Sequence, residues 1–211
     1  MQSLAVGIFI LSASVASAAT IVSTFGPGQT YGAADLTVDS TFSVAVSFTS
    51  TATVQFGSVE VGAYFDYIGQ PPHDFYISLD ADSSGAPGAV LESFAFGPSS
   101  FPWLPPNITS TILTGTSLLN PTLYAGTQYW IVFSTSQTFP GYGLDENGLS
   151  PEQYGVDDFT GGSWSYVSYA PTPAFEVDSL NSTPEPAAGV LLGAGLLALA
   201  AMRKHLWAHW A

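Results

Sequence analysis

The chain has 211 residues, with 16 acidic and only two basic side chains, three histidines and no cysteine, and a formal net charge of −14. Because its two cations both lie near the C-terminus, the rest of the chain cannot neutralise phosphates, which excludes DNA and RNA as partners and disfavours anionic lipid headgroups and phosphorylated ligands. The lack of cysteine excludes thiol catalysis, zinc–thiolate sites and disulfides, so packing and strand pairing must stabilise the fold.

The N-terminus has the pattern of a secretory signal peptide. Residues 4–11, LAVGIFIL, form an apolar stretch that is followed by small residues. Ala16-Ser17-Ala18 matches the small-x-small rule for signal peptidase, so we expect cleavage after Ala18 or Ala19. The alternative is a buried N-terminal strand or helix. We therefore predict a signal peptide over residues 1–19, export by the Sec machinery, and an ectodomain over residues 20–182.

Alternation of apolar and polar residues predicts strands along this ectodomain. In residues 41–49, TFSVAVSFT, every second side chain is apolar and falls on one face. Residues 59–67 alternate in the opposite phase to the TVQF before them, so Gly57-Ser58 indicates a turn or a bulge. Residues 127–136, TQYWIVFSTS, are apolar on both faces, which is typical of a central strand covered on each side and places Trp130 in the core.

The pattern as a whole predicts an all-β fold, a single β-sandwich or jelly-roll-like domain of roughly eight to ten strands. Serine, threonine, glycine and aromatic residues are abundant, and lysine, arginine and methionine are scarce. Residues 96–107 and 141–159 are rich in turn-forming residues, so we predict that both are loop insertions.

Residues that could catalyse a reaction are few. The G-x-S-x-G pattern of a hydrolase nucleophile does not occur. His73 is the single histidine outside the C-terminal tail, and an exposed turn beside Asp74 explains it better than a Ser-His-Asp site does. Asp157-Asp158 is the most visible carboxylate pair, but neighbours on a strand point to opposite faces, and a solvated loop explains it better. We predict neither an enzyme nor a bound cofactor.

Two further segments offer candidate binding residues. The run from Asp80 to Gly85 matches D-x-D-x-S-G of a calcium loop, but Leu91 stands at the twelfth position, where a bidentate glutamate is required. We predict a hairpin turn and no metal site, with weak Ca²⁺ binding by Asp80 and Asp82 as the alternative. Trp103, in a proline-rich loop, is the best candidate for an exposed aromatic ring that stacks on a sugar.

The tail, residues 183–211, has the pattern of a membrane anchor. Residues 187–202 are 16 consecutive residues without a charge, which as a helix would be about 24 Å long. That is slightly shorter than the hydrocarbon core of about 30 Å, and local thinning of the bilayer could accommodate it. Arg203 and Lys204 follow directly and would stay in the cytoplasm, which puts the ectodomain outside. A buried core helix is the alternative.

Pro184-Glu185-Pro186, the apolar run and the two cations, in this order, resemble the PEP-CTERM sorting signal. The resemblance implies a substrate of an exosortase, a membrane-embedded transpeptidase-like enzyme of Gram-negative bacteria that make extracellular polysaccharide. This chain departs from the family pattern by continuing past its basic cluster, over residues 205–211. Residues 75–94, 123–134, 161–165 and 173–177 are similar to the β-sandwich modules called choice-of-anchor domains, a resemblance that implies no enzymatic activity.

Together these features predict an exported, non-catalytic protein that is anchored in the membrane by its tail. After exosortase processing it would reside at the cell surface or in the exopolysaccharide matrix. Two alternatives stay open, a glycan-binding module and a secreted polysaccharide-active hydrolase. The expected partners are signal peptidase, the exosortase and the membrane, with an extracellular polysaccharide as a further candidate.

Overall fold

A computed structural model describes residues 18–65, 73–101, 110–136, 138, 141–147, 154–158, 163–167 and 172–180. Within these residues the chain forms one short 3₁₀ helix, Pro98–Ser100, and otherwise strands and turns. The strands are β1 (Thr20–Ser23), β2 (Gly32–Val38), β3 (Phe42–Thr49), β4 (Val54–Phe65), β5 (Phe75–Asp82), β6 (Pro87–Phe96), β7 (Thr111–Thr116), β8 (Thr122–Leu123), β9 (Gln128–Thr135), β10 (Tyr142–Asn147), β11 (Tyr154–Asp158), β12 (Ser163–Val167), β13 (Thr172–Pro173) and β14 (Phe175–Ser179).

The strands pair into two antiparallel sheets, which confirms the predicted all-β class. In the first sheet the order is β1-β14-β4-β10-β13, with β2 beside β10 and with β7 and β8 beside β4. In the second sheet the order is β12-β11-β3-β9-β5-β6. The number of described strands exceeds the predicted eight to ten, because several short strands pair with the long ones. Two antiparallel sheets over one core are the arrangement of a β-sandwich.

Alternate side chains of both sheets fill a common core. The first sheet contributes Phe56, Val59 and Val61 from β4, and the second contributes the inward residues of β3, β5 and β9, all of them almost completely buried. The largest fully buried side chains are Trp130, Tyr142, Phe48, Phe56, Phe75, Phe133, Phe175, Ile77, Leu79, Leu123 and Ile131. Each such side chain contributes about 1.5–3 kcal/mol of transfer free energy, so the cysteine-free fold is stabilised mainly here.

The change of phase in β4 comes from a bulge at Gly57. Phe56 pairs with Ser179 and Ser58 pairs with Asp178, so Gly57 has no partner residue in β14. A β-carbon at Gly57 would lie 2.5 Å from the backbone nitrogen of Leu180, and only glycine fits. The strand continues through the bulge, which decides between the two predicted alternatives of a turn and a bulge.

β9 is a central strand, as its two apolar faces predict. It pairs with β3 on one side and β5 on the other. Ile131 and Phe133 face the common core, while Trp130 and Val132 lie on the outer face with Ala45, where Trp164 packs against them. Trp130 is buried, which confirms its predicted place inside the protein.

The predicted loop over residues 141–159 is wrong for two segments, which form β10 and β11. Glycines and acidic residues lower the strand propensity of these segments, but tertiary contacts override propensity. Gly143 lies under the ring of Tyr64, so the missing side chain is required for packing. Asp157 and Asp158 are consecutive residues of β11, which pairs with β3 and β12. In the other predicted loop, Phe101 is buried in the core.

The predicted terminal helices lie outside the described residues. This holds for residues 1–17 of the signal peptide and for the tail from residue 181 onward. Within the part of the chain that the structure covers, no helix has the length and apolar character needed to cross a membrane.

Candidate functional site

The candidate site is built around Asp145, a buried acidic side chain on the outer face of the first sheet. It lies in β10 next to Leu144, whose side chain points into the core. Asp145 is 0 % exposed. Gly62 of the neighbouring strand β4 makes room for it, because a β-carbon there would lie 3.1 Å from Asp145 Cβ and 3.3 Å from its Oδ2. A carboxyl group is thus enclosed where a sheet normally has solvent on its outer side.

Only one of the two oxygens of this carboxyl group has a hydrogen-bond partner among the described residues. The Ser110 hydroxyl donates a hydrogen bond to Asp145 Oδ1 at 2.7 Å. Asp145 Oδ2 and Thr172 Oγ1 are both buried without a hydrogen-bond partner among the described residues. Burial raises the pKa of Asp145 to about 6, although the Ser110 hydrogen bond acts in the opposite direction. Burial, and then the charge of Asp145, also raises the pKa of Tyr31.

Asp145 and Ser110 do not form a catalytic triad with the predicted histidine. His73 is exposed beside Asp74, directly before β5, and its backbone carbonyl accepts a hydrogen bond from the Tyr142 hydroxyl. Tyr142 points into the core from β10, whereas Asp145 points away from it, so His73 and Asp145 lie on opposite sides of the sheet. What this geometry supplies is a buried acid whose pKa is raised by burial.

The two aspartates of the calcium-like run lie in different surroundings. Asp80 is buried in β5 directly opposite Trp130, and burial raises its pKa against the opposing hydrogen bond from Ser78. Asp82 accepts a hydrogen bond from the Trp130 indole at Oδ1 (2.9 Å) and from the Gly85 amide at Oδ2 (3.2 Å). The run is therefore the end of β5 and the turn of the β5–β6 hairpin.

No three histidine or carboxylate side chains within the described ranges are grouped so that they could hold a metal ion. Asp82 uses both of its oxygens to stabilise the hairpin, which leaves Asp80 as the one carboxylate of the run with an unpartnered oxygen. A single buried carboxylate provides too few oxygen ligands for Ca²⁺, which takes six to eight.

Sequence reasoning missed a second buried acid, Glu92 of β6. Its Oε1 accepts hydrogen bonds from the backbone amides of Leu118 (2.7 Å) and Leu119 (3.1 Å), and its Oε2 accepts one from the Ser117 hydroxyl. Ser117 follows β7 of the first sheet, so Glu92 joins the two sheets at their edge. The one available signal was an acidic residue in the middle of a largely apolar strand.

The predicted site residues fall partly inside and partly outside the described part of the chain. Trp103, the sorting residues Pro184, Glu185 and Pro186, the cations Arg203 and Lys204, and Ala16 lie outside the described residues. Ala18 and Ala19 are described and exposed. Ala19 pairs with the end of β14, because its carbonyl accepts a hydrogen bond from the Ser179 amide at 2.9 Å and its amide donates to Ser179 Oγ at 3.2 Å.

No protein-family model matches the chain, and no curated protein matches its sequence.

Proposed function

We propose that this is an exported, non-catalytic protein that an exosortase sorts to the cell surface or to the exopolysaccharide matrix. The observation that carries the proposal is the order of three features at one terminus: Pro184-Glu185-Pro186, the uncharged run 187–202, and the only two cations of the chain. Any one of them would mean little, but together they resemble the PEP-CTERM signal. The all-β domain of two antiparallel sheets is compatible with a surface module.

The proposed topology is a signal helix in residues 1–19 and a transmembrane helix in residues 187–202. Arg203 and Lys204 stay in the cytoplasm by the positive-inside rule, and the ectodomain is translocated. A domain without lysine or arginine has no cluster of positive charge that would oppose its transfer. The two cations would then stop translocation at the point where the uncharged run has entered the bilayer.

The contacts of Ala19 favour one of the two predicted cleavage positions. Both backbone polar groups of Ala19 are hydrogen-bonded to Ser179, so Ala19 extends the pairing of β1 with β14. Cleavage after Ala18 preserves these bonds and matches the small-x-small rule at Ala16-Ser17-Ala18. Cleavage after Ala19 would remove them. We therefore place the mature N-terminus at Ala19, which mass spectrometry of the exported protein tests directly.

The test of sorting is intact mass spectrometry of the surface-released protein, from a host with the cognate exosortase and from one without it. We expect a released form that ends near Pro184 in the first host only. Changing Pro184, Glu185 and Pro186 to alanine should leave insertion intact and make full-length protein accumulate in the membrane fraction. A released form that still contains residues 187–211 would contradict sorting and leave a plain C-terminal anchor.

The non-catalytic part of the proposal needs a separate test, because a glycan-binding module and a polysaccharide-active hydrolase are the competing classes. The exported protein is incubated with a glycan array and with chromogenic glycosides. We expect no turnover. Turnover that disappears when a carboxylate is changed would overturn the non-catalytic assignment, and array binding that disappears with Trp103→Ala would establish a glycan-binding module.

A further inference from the structure

Among the described residues, most of the exposed large apolar side chains lie at one end of the domain. Of the seven that the described part exposes, five lie at the end where β4 begins. We call this set the apolar pole: Val90, Leu118, Leu119, Tyr124 and Leu180. The other two, Phe42 and Tyr76, are the first residue of β3 and the second residue of β5, at the opposite end. Scattered exposed apolar residues are normal in proteins, but their concentration at one end is a sign of a contact surface.

Backbone hydrogen bonds hold the segments of the apolar pole around the first residues of β4. On one side the Leu180 amide donates to the Gln55 carbonyl at 2.8 Å, and on the other the Ser117 amide donates to the Gly57 carbonyl at 2.8 Å. β8, which Tyr124 follows directly, pairs with the first two residues of β4. The pole is therefore part of the sandwich framework.

The turn between β7 and β8 presents two adjacent leucines to solvent. Leu118 is 87 % exposed and Leu119 is 70 % exposed, yet both of their amides donate to the buried carboxylate of Glu92. An amide whose partner is within the protein does not lose a water molecule when its surroundings become less polar. The turn can therefore enter the interfacial region of a bilayer without leaving these two donors unpaired.

The position at which the chain leaves the domain indicates what covers this surface. The last described residue is Leu180, itself a member of the apolar pole, and the uncharged run begins at residue 187. Six intervening residues span at most about 22 Å when fully extended. If the proposed function holds and residues 187–202 are anchored in a bilayer, the apolar pole must lie close to that bilayer.

We propose that the apolar pole rests on the membrane surface, with Leu118 and Leu119 in contact with the interfacial region of the lipids. This inference rests on the proposed membrane anchor. The domain has no lysine or arginine, so the attraction cannot come from anionic headgroups, and the pole should bind uncharged zwitterionic lipid. Leucine and tyrosine at one end are the side chains that suit such an interface.

Site-specific fluorescence on the full chain tests the proposal, because the native sequence has no cysteine. Leu119→Cys carries a polarity-sensitive fluorophore, and Tyr76→Cys, at the opposite end, is the matched control. Each chain is reconstituted with phosphatidylcholine vesicles, and nitroxide-headgroup lipid is then added. We expect a blue shift and loss of emission at position 119 and neither at position 76. With the probe in Tyr124→Cys, the changes Leu118→Ser and Leu119→Ser together should abolish its shift.

The outcomes separate this proposal from the proposed anchor. If the chain co-sediments with the vesicles but the probe at position 119 keeps its aqueous emission, the apolar pole does not touch the membrane. If the chain does not co-sediment, the proposed anchor is wrong. The apolar pole is then tested separately, with the chain held on vesicles that contain nickel-chelating lipid by a C-terminal histidine tag. Aqueous emission there also overturns the proposal. A blue shift that depends on protein concentration without vesicles would show that the pole binds a second copy.

Discussion

Changing Asp145 to asparagine should remove the free-energy cost of ionising a buried carboxyl group, a cost that the folded state bears only at higher pH. Asparagine has nearly the same shape and can still pair with Ser110, whose hydroxyl can donate or accept. It cannot ionise, so the buried site at Gly62 never holds a charge. The variant should fold, and its stability should depend less on pH than that of the parent protein.

The size of the effect follows from the shift in pKa. The pKa of Asp145 rises from its ordinary value of 3.8 to about 6, and one pKa unit corresponds to 1.36 kcal/mol, which gives a difference of about 3 kcal/mol. The folded state binds the proton more tightly than the unfolded state does. Protonation of Asp145 therefore stabilises the folded state. This stabilisation is fully present below about pH 4, is lost as the pH rises through 6, and is absent at higher pH.

Denaturant unfolding between pH 4 and pH 8 measures this difference. The free energy of unfolding of the parent minus that of Asp145→Asn should fall by about 3 kcal/mol over this range and then level off. Asp74→Asn, which removes the same charge from an exposed site, controls for the general repulsion among the acidic residues. A parent-minus-variant difference that stays constant with pH, or the same slope for both variants, would refute the reasoning.

Three further predictions concern the described domain. Glu92→Ala leaves three donors without their acceptor and should cost roughly 2–4 kcal/mol in denaturant unfolding, while Glu92→Gln should cost less. Gly57→Ala should cost about 2 kcal/mol or more because its β-carbon meets the backbone of the next strand, whereas Gly32→Ala, with its nearest neighbour at 3.8 Å, should be tolerated. Millimolar Ca²⁺ should not raise the Tm through Asp80 and Asp82, and a rise that Asp80→Ala with Asp82→Ala abolishes would contradict the hairpin assignment.

The parts of the fold that could be predicted are those where one physical requirement dominates. A strand with one buried face must alternate, so the pattern of residues 41–49 predicted β3, and its break at Gly57 predicted an irregularity in β4. β9 was recognisable as central because both of its faces are apolar. In each case burial alone determines the residue types, and burial leaves a period in the sequence.

The remaining features depend on contacts between segments that are distant in the sequence. β10 contains one glycine and two acids, and the reason for Gly143 is the ring of Tyr64 on another strand. Burial against Gly62 raises the pKa of Asp145 in opposition to the hydrogen bond from Ser110, and neither residue is near Asp145 in the chain. No local pattern carries that information, so the candidate site could not be predicted from the sequence.

The lack of cations determines how this domain accommodates its acids. Asp39 accepts hydrogen bonds from the Thr41 hydroxyl and from two amides, and Glu92 accepts three, so neutral donors replace the usual lysine or arginine. Asp80 and Asp145 each keep one buried oxygen without a partner among the described residues, and both have a raised pKa. Hydrogen bonding to a carboxylate favours its ionised form, and burial opposes it. Where neutral donors are too few, protonation removes the buried charge. We therefore expect the burial of these incompletely hydrogen-bonded carboxyl groups to make the stability of the fold depend on pH.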